Sequence, residues 1–291
     1  MNLKKLIFQN LRAFFYATIL TIGFYLLIQI LDTSSIIHTE IEWLKFINVM
    51  PNIQFTMGSL ILYILLLGEL QATTFWGKKI GSQLEIPIVE KHHEFNHYLL
   101  HLFLPSIAYW CLISFVYFNL NYNFWGFFLG VVFIVFSLLF SNIHAYFHNK
   151  MKIEEETHKI YDFLKIIIYF TGIYSIFQAG YTFNLDHTLT SILVIIFSEL
   201  IFFLYVSKYH NLYDSIYIST ILASILAGII TFIILNIKGL ISFDYIFIIT
   251  TYFFFITGII HHKIKGDLTL KILGEYLIFS LFAIATFIKL F

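Results

Sequence analysis

The fold class is decided by the run Leu60-Ile61-Leu62-Tyr63-Ile64-Leu65-Leu66-Leu67, which shows no alternation of apolar and polar positions. A membrane-spanning β-strand would alternate over about ten residues, whereas a membrane-spanning helix needs roughly 20 mainly apolar residues. The run lies inside an apolar window from Ile53 to Ala72. Because lipid offers no hydrogen-bond partner to an open backbone, such a window must be helical. The run therefore predicts an all-α integral membrane protein.

The composition extends this prediction to the whole chain. The 291 residues are 59% hydrophobic and 12% charged, with 35 Phe and 19 Tyr, against roughly 45–50% apolar and 25% charged in soluble domains. We predict a polytopic helical bundle of about nine transmembrane helices, with eight as the alternative count. The loops are too short for folded domains of their own, so residues 1–291 are expected to form a single transmembrane domain. The nine windows are Ala13 to Leu31, Ile53 to Ala72, Tyr98 to Phe118, Phe124 to Asn142, Phe163 to Phe183, Leu189 to Tyr205, Ile216 to Leu235, Phe243 to Ile260 and Leu268 to Leu290.

The distribution of Lys and Arg predicts the orientation. With the amino terminus inside, only Lys45, Lys238 and Lys289 of the 17 basic residues fall outside, as expected for cytoplasmic loops that carry the positive charge. The stretch after Lys4 and Lys5 is long and is followed by no small-x-small cleavage site, so it is expected to be retained as the first span. We predict a cytoplasmic amino terminus and a prokaryotic cytoplasmic membrane.

Histidine is concentrated at one rim of this predicted bundle. Neutral imidazole is the commonest metal ligand and titrates near neutral pH. His38 and His187 fall on the opposite side. The other ten of the twelve histidines fall at the predicted cytoplasmic rim: His92, His93, His97, His101, His144, His148, His158, His210, His261 and His262.

The spacing of these histidines suggests a metal site. Residues four apart share one face of a helix, and this spacing joins His97 to His101 and His144 to His148. The adjacent residues His261 and His262 follow directly after the eighth window. Helical bundles hold zinc or iron with such imidazoles when carboxylates complete the shell. The candidate ligands are His97, His101, His144, His148, His261 and His262. A structural explanation is also open, because histidines at a membrane interface interact favourably with the carboxyl ends of helices without binding a metal.

Three glutamates lie inside apolar windows near the same rim. Glu69, Glu199 and Glu275 fall in the second, sixth and ninth windows. A carboxylate in a span costs at least about 2.5 kcal/mol by insertion scales, so it marks a functional site by default. We predict that these residues act as metal ligands or proton relays. Their structural alternative is a neutral glutamic acid that is hydrogen-bonded to a neighbouring helix.

Three functions remain open from the sequence. The first is a metal-dependent enzyme, with zinc or iron, that acts on a lipid-like substrate at the cytoplasmic interface. The second is a proton-coupled transporter, and the third is a non-catalytic membrane subunit or scaffold. Membrane lipids are the expected partners, and no basic surface suits nucleic acid. Cys111 is the one cysteine, so an intrachain disulfide and a thiolate metal cluster are both excluded.

Overall fold

Helices make up almost all of the described chain. A computed structural model describes residues 3–33, 53–83, 102–118, 125–148, 154–206, 214–236 and 242–290. Each predicted window overlaps a helix within these ranges, and the ranges contain no strand. The nine helices within them are α1 (Leu3–Thr33), α2 (Ile53–Gln83), α3 (Leu104–Phe118), α4 (Trp125–His148), α5 (Glu154–Thr182), α6 (His187–Val206), α7 (Asp214–Leu235), α8 (Ser242–Lys265) and α9 (Leu270–Leu290).

Six of the described helices are long and apolar enough to cross a membrane. Two further apolar segments are shorter within the described residues, α3 (Leu104–Phe118) and the part of α4 from Trp125 to Ser141. The described residues therefore support a multi-pass helical membrane protein. The count of nine spans and the orientation of the amino terminus stay predictions. The six segments are Leu11–Leu31, Gln54–Thr73, Asp162–Thr182, His187–Val206, Ile216–Leu235 and Tyr245–Lys265.

The outward faces of these helices are apolar as well. On α6 the exposed face carries Ile192, Ile196 and Leu200, which are spaced four residues apart, and α7 exposes Ile218 and Leu222 in the same way. Contiguous apolar surface of this kind is unfavourable in water. It is what a helix surrounded by lipid requires.

Several helices extend beyond their apolar windows, mainly at one end. α1 begins ten residues before its window, and α2 continues to Gln83, well past Ala72. α4 reaches His148, α5 begins at Glu154 and α8 ends at Lys265. These are the ends that the Lys and Arg distribution predicts to be cytoplasmic. The connection predicted between Ile143 and Asp162 is therefore mostly helical.

The described helices fall into two compact units, with the division after Leu164, inside α5. In the first unit Phe24 of α1 is fully buried, and its ring lies 5.6 Å from Tyr109, 6.2 Å from Phe128 and 6.3 Å from Phe136. The Tyr109 hydroxyl donates to the Ser59 carbonyl oxygen at 2.6 Å. One aromatic cluster thus joins α1, α2, α3 and α4. The prediction of a single domain stays a prediction.

The second unit is organised around Tyr169 of α5. Its ring stacks on Phe253 of α8 with a centroid distance of 4.0 Å, and its hydroxyl shares a 2.8 Å hydrogen bond with Ser198 of α6. α6 and α7 approach closely at Gly228. A Cβ atom there would lie 2.2 Å from Ile195 Cγ1 and 3.2 Å from the Ser191 carbonyl oxygen. This close approach allows polar side chains of α6 and α7 to meet.

Two helices of this unit end in the same type of cap. Asn184 after α5 and Gly266 after α8 have positive φ angles of 50° and 73°. Each cap closes with a hydrogen bond spanning five residues, from Leu185 N to the Gly180 oxygen and from Asp267 N to the His262 oxygen. These are Schellman motifs, which favour Gly or Asn at the left-handed position. They make the connections from α5 to α6 and from α8 to α9 short and ordered.

Candidate functional site

The described residues bear on only part of the predicted histidine cluster. His97 and His101 lie outside the described residues. His144 and His148 occupy the last turns of α4, as the sequence predicts for a helix end, but their side chains lie outside the described part. His261 and His262 are described, in the last turn and a half of α8. Among the described residues no group of three or more His, Cys, Asp or Glu side chains could share a metal ion.

His262 is held by an acid of the following turn. Its Nδ1 lies 2.9 Å from Asp267 Oδ1, and its ring packs edge-on against His261 and Tyr276 at centroid distances of 5.5 and 5.8 Å. The hydrogen bond from His262 lowers the pKa of the Asp267 carboxyl, and the nearby charge of Lys265 adds to this effect. Because the Schellman motif fixes the turn, the contact is local to residues 262–267.

Glu275 differs from the other two glutamates. It lies on α9 with its side chain 64% exposed, and its Oε1 is 4.0 Å from Nζ of Lys271, whose side chain is 86% exposed. Exposed pairs four residues apart on a helix contribute little to stability. Glu275 is therefore an open surface carboxylate in the second unit.

Glu69 is a buried carboxylate in the first unit. Its side chain is 1% exposed, and both oxygens accept hydrogen bonds from Arg12 on α1. Nε of Arg12 donates to Oε1 at 2.9 Å and Nη2 donates to Oε2 at 2.8 Å. The Thr73 hydroxyl, one turn further along α2, adds a 3.1 Å hydrogen bond to Oε1. The charge of Glu69 is thus balanced by a bidentate ion pair, which is the strong geometry for this contact.

Glu199 has a different environment. It is half-buried on α6, and Thr220 and Ser224 of α7 place their hydroxyl oxygens 3.2 Å from Oε1 and 2.7 Å from Oε2. No Lys, Arg or His among the described side chains forms an ion pair with it. A carboxylate inside an apolar span thus meets only neutral donors within the described ranges.

The hydroxyl groups beside Glu199 have fewer hydrogens to donate than there are acceptor atoms around them. The Ser224 hydroxyl oxygen also lies 2.9 Å from the Thr220 carbonyl oxygen, and the Thr220 hydroxyl oxygen lies 2.8 Å from the Tyr217 carbonyl oxygen. Each hydroxyl has one hydrogen to donate, so two hydrogens face four acceptors. Each hydroxyl is therefore shared between one Glu199 oxygen and one backbone carbonyl oxygen of α7.

The partners of Glu69 and Glu199 were not identified from the sequence. In the sequence, Arg12 counted only as one of the basic residues that predict the orientation. Thr73, Thr220 and Ser224 were not identified as candidates. A weak signal exists, because Thr220 and Ser224 are hydroxyl residues four apart on one helix face. Their pairing with Glu199 depends on how α7 is rotated against α6. That rotation is a property of the packing.

Comparison with protein-family models, with curated proteins and with solved structures gives no significant match to this chain.

Proposed function

We propose that the protein is a proton-coupled membrane carrier in which Glu199 binds the coupling proton. The observation that supports the proposal is the environment of Glu199, a carboxylate inside an apolar span whose described partners are two hydroxyl groups of α7. Ionisable groups in spans are characteristic of proton relays and transport pathways. Glu69 is not proposed for this role because Arg12 already balances its charge.

Protonation of Glu199 would change the contact between α6 and α7. With the proton bound, Glu199 can donate to Ser224, and both hydroxyls remain available to the α7 backbone. After the proton leaves, the carboxylate competes with the carbonyl oxygens of Tyr217 and Thr220 for the two hydroxyl hydrogens. A carboxylate in an apolar span without a cation is also costly. The two protonation states therefore favour different arrangements of these helices, which is the property that coupling requires.

The experiment is proton movement in proteoliposomes. Vesicles that contain the purified protein and an internal pH-sensitive dye are exposed to a panel of amino acids, sugars and organic cations under an inward proton gradient. At least one compound should drive lumenal acidification with the wild-type protein. Glu199→Gln should abolish that movement, because the amide keeps the size of the side chain but cannot release a proton.

Glu275→Gln is the matched control, since it makes the same chemical change at an exposed glutamate of α9. It should leave proton movement unchanged. Equal movement with wild type and Glu199→Gln would contradict the proposal. If no compound moves protons through the wild-type protein, the third hypothesis, a non-catalytic membrane subunit or scaffold, is favoured instead.

A second candidate function rests on the contact between His262 and Asp267. Histidine ligands commonly donate the other ring N–H to a carboxylate, which fixes the tautomer and leaves Nε2 for the metal. The 2.9 Å contact of His262 Nδ1 with Asp267 has this form. It supports a metal-dependent enzyme acting on a lipid-like substrate, with His261 of the same unit as a further proposed ligand and zinc or iron as the metal.

Elemental analysis of the purified protein tests this second function. Stoichiometric zinc or iron in the wild-type protein, and its loss in His262→Ala, would support the metal site. Metal content that is unchanged by His262→Ala would remove His262 from it.

A further inference from the structure

The guanidinium group of Arg12 uses only part of its hydrogen-bonding capacity. Arginine has five N–H groups in a fixed plane. The Nε hydrogen and one Nη2 hydrogen bind Glu69, which leaves the second Nη2 hydrogen and both Nη1 hydrogens. The Tyr16 hydroxyl interacts with both Arg12 and Glu69, and the Arg12 side chain is 34% exposed. The free edge therefore presents one N–H from each terminal nitrogen.

The free edge of this guanidinium is held in place. Glu69 binds its other edge through two hydrogen bonds, and the guanidinium carbon lies 5.7 Å from the centroid of the Tyr16 ring. A free arginine side chain loses much conformational entropy when it binds an anion. Arg12 has already lost most of this freedom by pairing with Glu69. A pair of parallel N–H groups in a fixed orientation matches two oxygens of a phosphate or carboxylate.

The position of Arg12 along α1 selects the kind of anion. The apolar window of α1 begins at Ala13, and the apolar window of the antiparallel helix α2 ends at Ala72. Arg12 therefore lies where the hydrocarbon region gives way to the headgroups, and not in open solvent. Phosphate is the anionic group that lipids present at this depth. The helical positions of Lys4 and Lys5 follow two turns further out on α1.

We infer that Arg12, oriented by Glu69, binds the phosphate group of a membrane lipid at the boundary of the α1 and α2 spans. The buried carboxylate acts as a positioning group, and the ion pair has no net charge. Recognition therefore depends on the fixed donors more than on overall positive potential. The inference concerns the first unit and is independent of the proposed role of Glu199.

The experiment measures lipid retention by native mass spectrometry of the detergent-purified protein. The probes are phosphatidylglycerol and a diacylglycerol with the same acyl chains, which lacks the phosphate. Wild-type protein should retain phosphatidylglycerol about tenfold more strongly, as expected for a bidentate charge-assisted contact. In the double variant Arg12→Gln/Glu69→Gln this preference should fall to about twofold or less, with the two amides still able to bond to each other.

The control and a second variant separate this effect from charge and stability. Lys271→Gln/Glu275→Gln also removes one ion pair without changing the net charge, but at an exposed site, and it should keep the full preference. Arg12→Lys should keep the ion pair with Glu69 but lose the paired N–H groups, and its preference should fall at least about threefold. Arg12→Lys tests the role of Arg12 in lipid binding even if the double variant fails to fold.

Inorganic phosphate distinguishes the two sources of the anion. If millimolar phosphate displaces phosphatidylglycerol from the wild-type protein, Arg12 recognises phosphate from either source. If it does not, the acyl chains contribute to binding and the ligand is the intact lipid. The inference is overturned if wild-type protein shows no preference over diacylglycerol, or if the double variant and Arg12→Lys both keep the wild-type preference.

Discussion

Glu69 and Glu199 are the same residue type in similar apolar segments, yet their surroundings are opposite. Glu69 is almost fully buried and forms a bidentate ion pair with Arg12. Glu199 is half-buried and meets two hydroxyl groups of α7. A carboxylate paired with arginine stays charged and holds two helices together. A carboxylate that meets only hydroxyl groups has no such cation, and this difference separates a structural contact from a candidate site of function.

The largest effect should follow from breaking the ion pair in the first unit. Arg12→Gln leaves the Glu69 carboxylate buried without its cation, which costs about 3–5 kcal/mol in comparable buried pairs. Thermal unfolding of the detergent-purified protein should show this loss, and Arg12→Gln/Glu69→Gln should recover a large part of it. Lys271→Gln, which breaks an exposed pair, should leave the unfolding temperature unchanged. Similar unfolding temperatures for Arg12→Gln and wild type would mean that Glu69 is not charged.

The next effect concerns the close approach of α6 and α7. Gly228→Ala places a Cβ atom against Ile195 and the Ser191 carbonyl oxygen, so the free energy of unfolding should fall by about 1–3 kcal/mol. Gly68→Ala in α2 is the control, because a Cβ atom there meets nothing within 4 Å. It should stabilise the helix by up to about 1 kcal/mol. Two equal, positive shifts in unfolding temperature would contradict the packing of α6 on α7.

A smaller effect should follow from removing one hydroxyl beside Glu199. Ser224→Ala removes the 2.7 Å contact with Oε2, and side-chain hydrogen bonds between membrane helices are worth about 0.6 kcal/mol on average, with a maximum near 1.7. Thr220→Val removes the longer 3.2 Å contact and should cost less. Chemical unfolding of both variants, in the wild-type and Glu199→Gln backgrounds, measures the coupling. Additive effects across the two backgrounds would show that these hydroxyls do not interact with Glu199.

The smallest effect concerns an acid outside the apolar spans. The pKa of Asp267 is lowered by its hydrogen bond from His262, so the folded protein gains stability above the unfolded-state pKa of about 3.9 and loses it as the pH falls through the lowered value. Asp267→Asn should therefore be slightly less stable than wild type near neutral pH, and the difference should vanish in acid. Melting curves over this pH range provide the test. A difference that grows in acid would contradict the assignment.

Hydropathy was sufficient to locate the helices, but not to find all of their ends. Each apolar window overlaps a helix in the described residues because burial of an apolar segment in lipid is set by composition. The extension of α2 to Gln83 was missed. Hydropathy falls there, while Gln and Lys remain good helix formers. The windows therefore marked the apolar segment and not the whole helix.

The sequence was sufficient to identify the acidic residues of the candidate site, but not the residues that they contact. Glu69, Glu199 and Glu275 each stand out as a charge in an apolar window, yet they are respectively ion-paired, bound by hydroxyls and exposed. Arg12 lies 57 residues from Glu69, and Ser224 lies 25 residues from Glu199. No local pattern links residues so far apart. The metal ligands proposed from the histidine spacing stay predictions.

The sequence by itself determined the class of molecule, the position of its helices and the presence of carboxylates in apolar segments, because these follow from local composition and the chemistry of lipid. The tertiary structure decided which carboxylate pairs with a cation and which meets only hydroxyl groups. That outcome depends on which face of one helix meets which face of the next. A rotation of α7 by a single residue, about 100°, would turn Ser224 away from Glu199 while leaving every sequence pattern intact.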